Sequence, residues 1–223
     1  MKLGISTGIF HKFHREEEMN RKISHLAIWN PEYVEILYVR PYMLDIPINS
    51  ENKSFLAKKK VILHAPFFNN GNNERYFLSE KDIGKLVKMA KELNAIHIIL
   101  HPDTIKDLKV LNKFNFKFIF ENMDPKFSES SLEKLSTPLL EKHGLCFDKS
   151  HAKNLNENEI KELLINLEEI HFNFSELSSF LENGTTSYDF LKEFDVPVVL
   201  ETRIRSLEKT HLVVKKIKEI FEK

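Results

Sequence analysis

The feature that most constrains this chain is a recurrence of eight short, apolar, β-rich runs with helical patterns between them. The runs are Leu3–Ser6, Val34–Tyr38, Val61–His64, Ile96–His101, Phe116–Glu121, Leu145–Asp148, Glu169–Phe172 and Val196–Glu201. Runs that are apolar on both faces, each followed by a helix, mark parallel strands in βα units. Helical patterns fall over Glu16–Trp29, Ser79–Leu93, Ser130–His143, Glu157–Leu167 and Leu207–Phe221, with shorter ones at Glu51–Lys59 and Ile105–Lys113. Within Lys81–Leu93, the residues Ile83, Leu86, Val87, Ala90 and Leu93 form one stripe, with Lys and Glu opposite. Eight strands alternating with helices and no linker predict an α/β protein, a single (β/α)8 TIM barrel spanning residues 1–223. An open doubly wound sheet is the alternative.

Length agrees with a closed barrel if its helices and loops are short. The chain has 223 residues, against about 250 for a typical barrel and roughly 200 at the lower end. Lys+Arg and Asp+Glu are both 33, for a formal net charge of zero, so no general attraction to a polyanion is expected. The single Cys excludes an internal disulfide framework and a Cys-rich zinc module. No stretch reaches the ~18 apolar residues of a membrane span. The opening MKLGISTGIF lacks the h-region of a signal peptide. These features predict a cytoplasmic protein with no membrane partner.

Six runs end in an ionisable side chain: Val61-Ile62-Leu63-His64, Ile98-Ile99-Leu100-His101, Phe118-Ile119-Phe120-Glu121, Leu145-Cys146-Phe147-Asp148, Glu168-Glu169-Ile170-His171 and Val198-Val199-Leu200-Glu201. In a parallel barrel the C-terminal strand ends share one rim, where active sites of this architecture lie. Three carboxylates brought together without a cation repel one another, and a divalent metal removes the conflict. Imidazole and carboxylate ligands without thiolate suit Zn, Mn, Fe or Co. His151, three residues after Asp148, is a further candidate, and His11 and His14 follow the first strand on the same rim. A lone His or Glu at a strand end is ordinarily a cap or loop residue; six in order are harder to dismiss. Cys146 shares strand parity with Asp148 and reads as a small residue inside the barrel. His97 and His143 belong towards the opposite rim with structural roles, and His25 and His211 read as surface residues on helices.

His64-Ala-Pro-Phe, Leu100-His101-Pro, Phe120-Glu121-Asn122, Phe147-Asp148-Lys-Ser-His151-Ala, His171-Phe-Asn and Leu200-Glu201-Thr together resemble the xylose-isomerase-like barrel superfamily. That group holds sugar isomerases and epimerases and the endonuclease IV nucleases. The resemblance implies that Glu121, Asp148, His171 and Glu201 form the shared four-residue metal site. It implies that His64 and His101, with a bridging Glu121, hold another metal in the nuclease branch. His151 matches a ligand of that branch's third zinc and a substrate-binding His of the ketose 3-epimerases. The chain departs at Phe174, where the nuclease branch has Asp, and carries no Asp-x-His around Glu176–Ser178. It also has Leu177 where the 3-epimerases carry Arg. These departures count against a full trinuclear zinc site and against standard 3-epimerase chemistry.

Two functions of different class follow. The first is a sugar or sugar-phosphate isomerase or epimerase using one or two divalent metals (Zn, Mn or Co). Glu121 and Glu201 would act as base and acid around a metal-stabilised enediolate, with Arg203 and Arg205 holding a phosphate or carboxylate. The second is an endonuclease IV-like phosphodiester hydrolase acting on abasic DNA, favoured by His64 and His101. Zero net charge opposes it, because DNA binding leans on phosphate neutralisation. The basic run Lys58–Lys60 precedes the third strand and so falls at the wrong rim. A barrel that binds a small molecule without turning it over is a third reading, and the isomerase class is preferred.

Overall fold

The computed structural model describes residues 2–10, 15, 17–122, 142–152, 166–172, 193–201 and 211–215, together with 158, 160, 164 and 208. Eight strands close into a barrel in chain order: β1 (Lys2–Ser6), β2 (Tyr33–Leu37), β3 (Lys60–His64), β4 (Ala95–Leu100), β5 (Phe118–Glu121), β6 (Leu145–Asp148), β7 (Leu167–Phe172) and β8 (Pro197–Leu200). Every neighbouring pair is parallel, and β8 returns to β1 through Lys2↔Pro197 to Ile5↔Leu200. Closure leaves no sheet edge to protect. It also replaces the open sheet considered as the alternative with the predicted TIM barrel.

The period of two along each strand divides the residues into two sets. One set faces the helices and joins the large core, with Val34, Ile36, Val61, Leu63, Ile98, Leu100, Phe118, Phe120, Phe147 and Ile170 among it. The other forms a small cluster of Tyr33, Ile62, Ile99, Ile119, Cys146 and Val199. Stepping two residues towards the C-terminal end of those strands leads to Glu35, His64, His101, Glu121, Asp148 and Glu201. A floor of six apolar-lined positions thus lies directly beneath a polar rim.

Gly4 belongs to this floor. A Cβ there would meet Val199 Cγ2 at 2.7 Å and Tyr33 Cβ at 3.0 Å, so its missing side chain makes room for its neighbours' larger ones. Gly144, immediately before β6, adopts φ +83, a region costly for L side chains.

Three helices are described in full. Helix α1 (Met19–Trp29) buries Met19, Lys22, Ile23, Leu26 and Trp29 and ends at Asn30 in the left-handed region with φ 50, where Asn is tolerated. Helix α2 (Ser50–Leu56) starts from Asn49, whose side chain accepts from Asn52 N. Helix α3 (Glu80–Glu92) buries Ile83, Leu86, Val87 and Ala90, the stripe expected from the sequence. Its Ser79–Asp82 capping box satisfies N-terminal donors that would otherwise have no partner.

The segment Ile105–Lys113, expected as a helix, is instead a 3₁₀ turn over Leu108–Lys113 that buries only Leu111. One apolar anchor does not define a face. Residues 211–215 are helical, within the predicted C-terminal helix. The patterns at Ser130–His143 and Glu157–Leu167 lie mostly outside the described residues. Among the described residues no helix is long and apolar enough to cross a membrane.

Candidate metal centre

His64, Glu121 and Asp148 close their strands, His171 lies in β7, and His101 and Glu201 follow β4 and β8 directly. Common strand parity and a shared barrel end bring all six together. His64 Nε2 lies 2.8 Å and His101 Nε2 3.0 Å from Glu121 Oε2, and the two imidazole nitrogens are 3.2 Å apart. Across the site, His171 Nδ1 is 3.8 Å from Glu121 Oε2 and 3.3 Å from Glu201 Oε2. His151, on the turn after β6, reaches Glu121 Oε1 at 3.2 Å and Asp148 Oδ2 at 3.4 Å. All seven predicted side chains in the described residues therefore converge. Arg203, Arg205, His11 and His14 lie outside the described residues.

Asn122 braces the rim. Its side chain donates to Asp148 O at 2.8 Å and accepts from Asp148 N at 2.7 Å, tying the end of β5 to that of β6. Its carbonyl takes His151 Nδ1–H at 2.8 Å, and Ser150 N donates to Asp148 Oδ1 at 2.6 Å. Asp148 and His151 are thereby fixed relative to Glu121.

The donor set fits a divalent cation. His64 Nδ1–H donates to the Ala65 carbonyl at 3.0 Å, so in the neutral ring the Nε2 lone pair faces Glu121. At 2.8 Å that approach is attractive only with a proton or metal between the two atoms. Separations of 2.8–3.2 Å among the three donor atoms compare with roughly 3.3 Å between ligands of a tetrahedral site with 2.0–2.1 Å bonds. His171 Nδ1 is buried and has no hydrogen-bond partner. Among the described residues, four groups of side chains bring ligand atoms within 4.8 Å of one another: His64–His101–Glu121, Glu121–Asp148–His171, Glu35–His171–Glu201 and Cys146–Glu169–His171.

Protonation follows the same logic. Burial alone would raise Glu121, but hydrogen bonds from the surrounding imidazoles of His101, His151 and His171 hold it well below the usual carboxylate range. Asp148 is raised by burial and by the charges of Glu121 and Glu201, against the pull of His151 and His171. Burial would lower His151, yet the charge of Asp148 and a hydrogen bond to Glu121 carry it up to about 10. In the protein alone, imidazolium groups therefore supply the positive charge that a metal would bring.

His101 differs from the others. Burial pushes it down to about 4, so the ring is neutral. Its Nδ1 faces the Arg75 guanidinium at 3.5 Å, which only donates, so the ring proton belongs on Nε2. Phe67 stacks on the same ring at 4.8 Å, and Arg75 Nε pairs with Asp103 Oδ2 at 2.8 Å. His101 is thus flanked by an aromatic ring and a guanidinium.

Several of these residues escape a reading by strand ends alone. Glu35 and Glu169 are fully buried inside the barrel, and the alternation Tyr33-x-Glu35 and Glu169-x-His171 was the signal for them. His97 lies in the N-terminal half of β4, away from the rim as expected, but inside the barrel, with Nε2 2.7 Å from Glu169 Oε2. His25, expected on the surface, is half-buried against Phe10, whereas His211 is exposed and accepts Trp29 Nε1–H. Phe67 closes the His64-Ala-Pro-Phe motif, whereas Arg75 comes from a loop with no periodicity and left no trace in the sequence. Cys146 is fully buried in the inner cluster, as parity predicted, and burial pushes its thiol well up. Lys60 opens β3 at the end opposite His64 and pairs with Glu32, so the basic run is indeed away from the site.

No known family profile and no curated relative matches the chain. Solved structures match over its full length at low identity. D-psicose 3-epimerase from Clostridium cellulolyticum H10, with D-tagatose, is 11% identical, with 100% of this chain and 97% of that one covered and a TM-score of 0.57. The 3-keto-D-glucoside 4-epimerase YcjR from E. coli is 14% identical, with both chains covered completely and a TM-score of 0.60. The structure of AsfvAP:AG is 12% identical, with 99% and 98% covered and a TM-score of 0.62. This chain therefore has the TIM-barrel fold, like these solved sugar epimerases, with buried His, Glu and Asp clusters consistent with a metal site.

Proposed function

We propose that the protein is a divalent-metal-dependent isomerase or epimerase of sugars or sugar phosphates. The observation that carries this reading is that Glu121 and Glu201 both stand against His171 Nδ1, at 3.8 and 3.3 Å. Glu121, Asp148, His171 and Glu201 would hold the cation, Zn, Mn or Co. When bound, the cation would grip two vicinal substrate oxygens and offset the charge that develops as a carbon-bound proton leaves.

The remaining chemistry belongs to the side chains. Glu201 is about a fifth exposed, whereas Glu121 is sealed, so Glu201 is the carboxylate that meets substrate first and takes the proton. Glu121 would return one to carbon, drawing it from the protonated His151 3.2 Å from its Oε1. His101 Nε2–H and protonated His151 orient substrate hydroxyls, and Arg203 and Arg205, just beyond Glu201, would hold a phosphate or carboxylate.

One observation favours a second reading. His64, His101 and Glu121 are packed closely enough for another metal, which is the arrangement a dinuclear phosphodiester hydrolase acting on abasic DNA would use. The His101 tautomer set by Arg75 weighs against it, because a protonated Nε2 donates and does not ligate.

Elemental mass spectrometry on untagged protein, wild type and His101→Ala, separates the two. One metal per chain in both supports the isomerase. Solvent-deuterium incorporation into ketose and aldose phosphates should then fall about 10²–10⁴-fold in Glu201→Gln, as loss of an acid–base group does. Two metals in wild type and one in the variant, with cleavage of abasic DNA, would replace this reading by the hydrolase. No metal after supplementation with Zn, Mn and Co would end both.

A further inference from the structure

The imidazole of His171 has carboxylates on both its nitrogens. Towards the rim, Nδ1 faces Glu201 and Glu121. Towards the barrel interior, Nε2 lies 2.9 Å from Glu35 Oε2 and 3.3 Å from Glu169 Oε1. Glu35, Glu169 and His171 are all fully buried. Neither of those two oxygens has a hydrogen-bond partner in line with it, and Nε2 has none either. The ring edge is therefore held between two carboxylate oxygens and belongs wholly to neither.

Each carboxylate is itself anchored to the barrel wall through its other oxygen. Ser6 Oγ donates to Glu35 Oε1 at 2.5 Å and in turn accepts Gly8 N–H at 3.0 Å. His97 Nε2 donates to Glu169 Oε2 at 2.7 Å. Four strands, β1, β2, β4 and β7, thus meet in one polar column under the rim. Burying two carboxylates is costly unless each is paired, so an arrangement this deep needs a use that packing does not supply.

We propose that Glu35 and Glu169 are positioning residues that keep the His171 proton on Nε2 and so aim the Nδ1 lone pair at the metal centre. A lone pair on Nε2 would face two oxygens at about 3 Å, which is repulsive; an N–H there is attracted to both. A neutral imidazole has one N–H, so holding it on the inner nitrogen frees the outer one. Partners of this kind on the far nitrogen of a ligating His fix ring orientation and raise its basicity, and their loss typically costs 10–100-fold in metal affinity. The inference rests on the metal reading of the site given above.

The test is metal binding by the full chain, with Zn or Co(II) competed against a chromophoric chelator, and the visible spectrum of the Co(II) form. Glu35→Met should bind 10–100-fold more weakly, and its Co(II) spectrum should move towards that of His171→Ala. Glu35→Gln keeps an acceptor oxygen of the same shape and should restore most of the affinity and the wild-type spectrum. Should Glu35→Met fail to fold, Glu169→Met, which removes the other oxygen facing Nε2, carries the test, with a loss of about tenfold or more expected. Wild-type affinity and spectrum in Glu35→Met, or in Glu169→Met, overturn the inference and leave the metal centre standing. No binding of Zn, Mn or Co by wild type removes the metal centre and the inference together.

Discussion

Gly4 shows how narrowly single positions are set inside this barrel. Its ideal Cβ would stand 2.7 Å from Val199 Cγ2, and Val199 is part of the inner floor beneath the site. The nearest atom belongs to a short β-branched side chain on a paired strand, which has little freedom to yield. Gly4→Val should therefore destabilise by about 1–3 kcal/mol through overpacking, read as a lower denaturant midpoint at unchanged m. Unchanged stability would mean that β1 and β8 separate more easily than a closed barrel allows. The His101 ring makes the complementary point. Its chemistry is decided by Phe67, from the His64-Ala-Pro-Phe motif, and by Arg75, from a loop that no period or motif connects to it.

At the scale of elements, α3 holds the clearest local device. Asp82 accepts from Ser79 N at 2.9 Å, Ser79 Oγ at 2.5 Å and Tyr76 Oη at 2.8 Å. Burial raises its pKa, but these bonds, Ser79's foremost, outweigh that and lower it below 3.8. A carboxyl whose folded pKa is depressed contributes stability that is fully present above its unfolded value and is lost as pH falls through the folded one. Asp82→Asn should thus cost about 1 kcal/mol at neutral pH, in the range of a lost cap. The gap between wild type and variant should stay constant above pH 5 and close below about pH 4, in thermal melts across that range. A gap that widens on acidification would contradict the capping role. The 3₁₀ turn at Leu108–Lys113 is the counter-example: its composition admits a helix, yet it buries one residue, and nothing holds a longer helical face against the barrel.

For the whole molecule, barrel closure joins β1 to β8, so the first and last strands cannot leave independently. A single cooperative unfolding transition over residues 1–223 is expected, with circular dichroism and tryptophan fluorescence coincident; two separated transitions would divide the chain into more than one domain. A metal bound at a centre built from β3 to β8 should stabilise this one unit. At a free concentration of 100 times Kd the gain is about 2.7 kcal/mol, or roughly 5–10 °C in Tm for a chain of this size. EDTA should reverse it. A Tm indifferent to Zn, Mn, Co and EDTA would argue against the centre.

The sequence by itself determined the strand order, the barrel and the ring of His64, His101, Glu121, Asp148, His171 and Glu201. These follow from periods of two and 3.6 and from strand ends, which are local properties that survive any detail of packing. Only the tertiary structure decided what those side chains face. The two carboxylates under His171, the proton on His101 and the brace from Asn122 depend on register between strands far apart in sequence. Strand alternation says that Glu35 and Glu169 point inward; only the closed barrel, with its fixed stagger, says that they point at the same nitrogen.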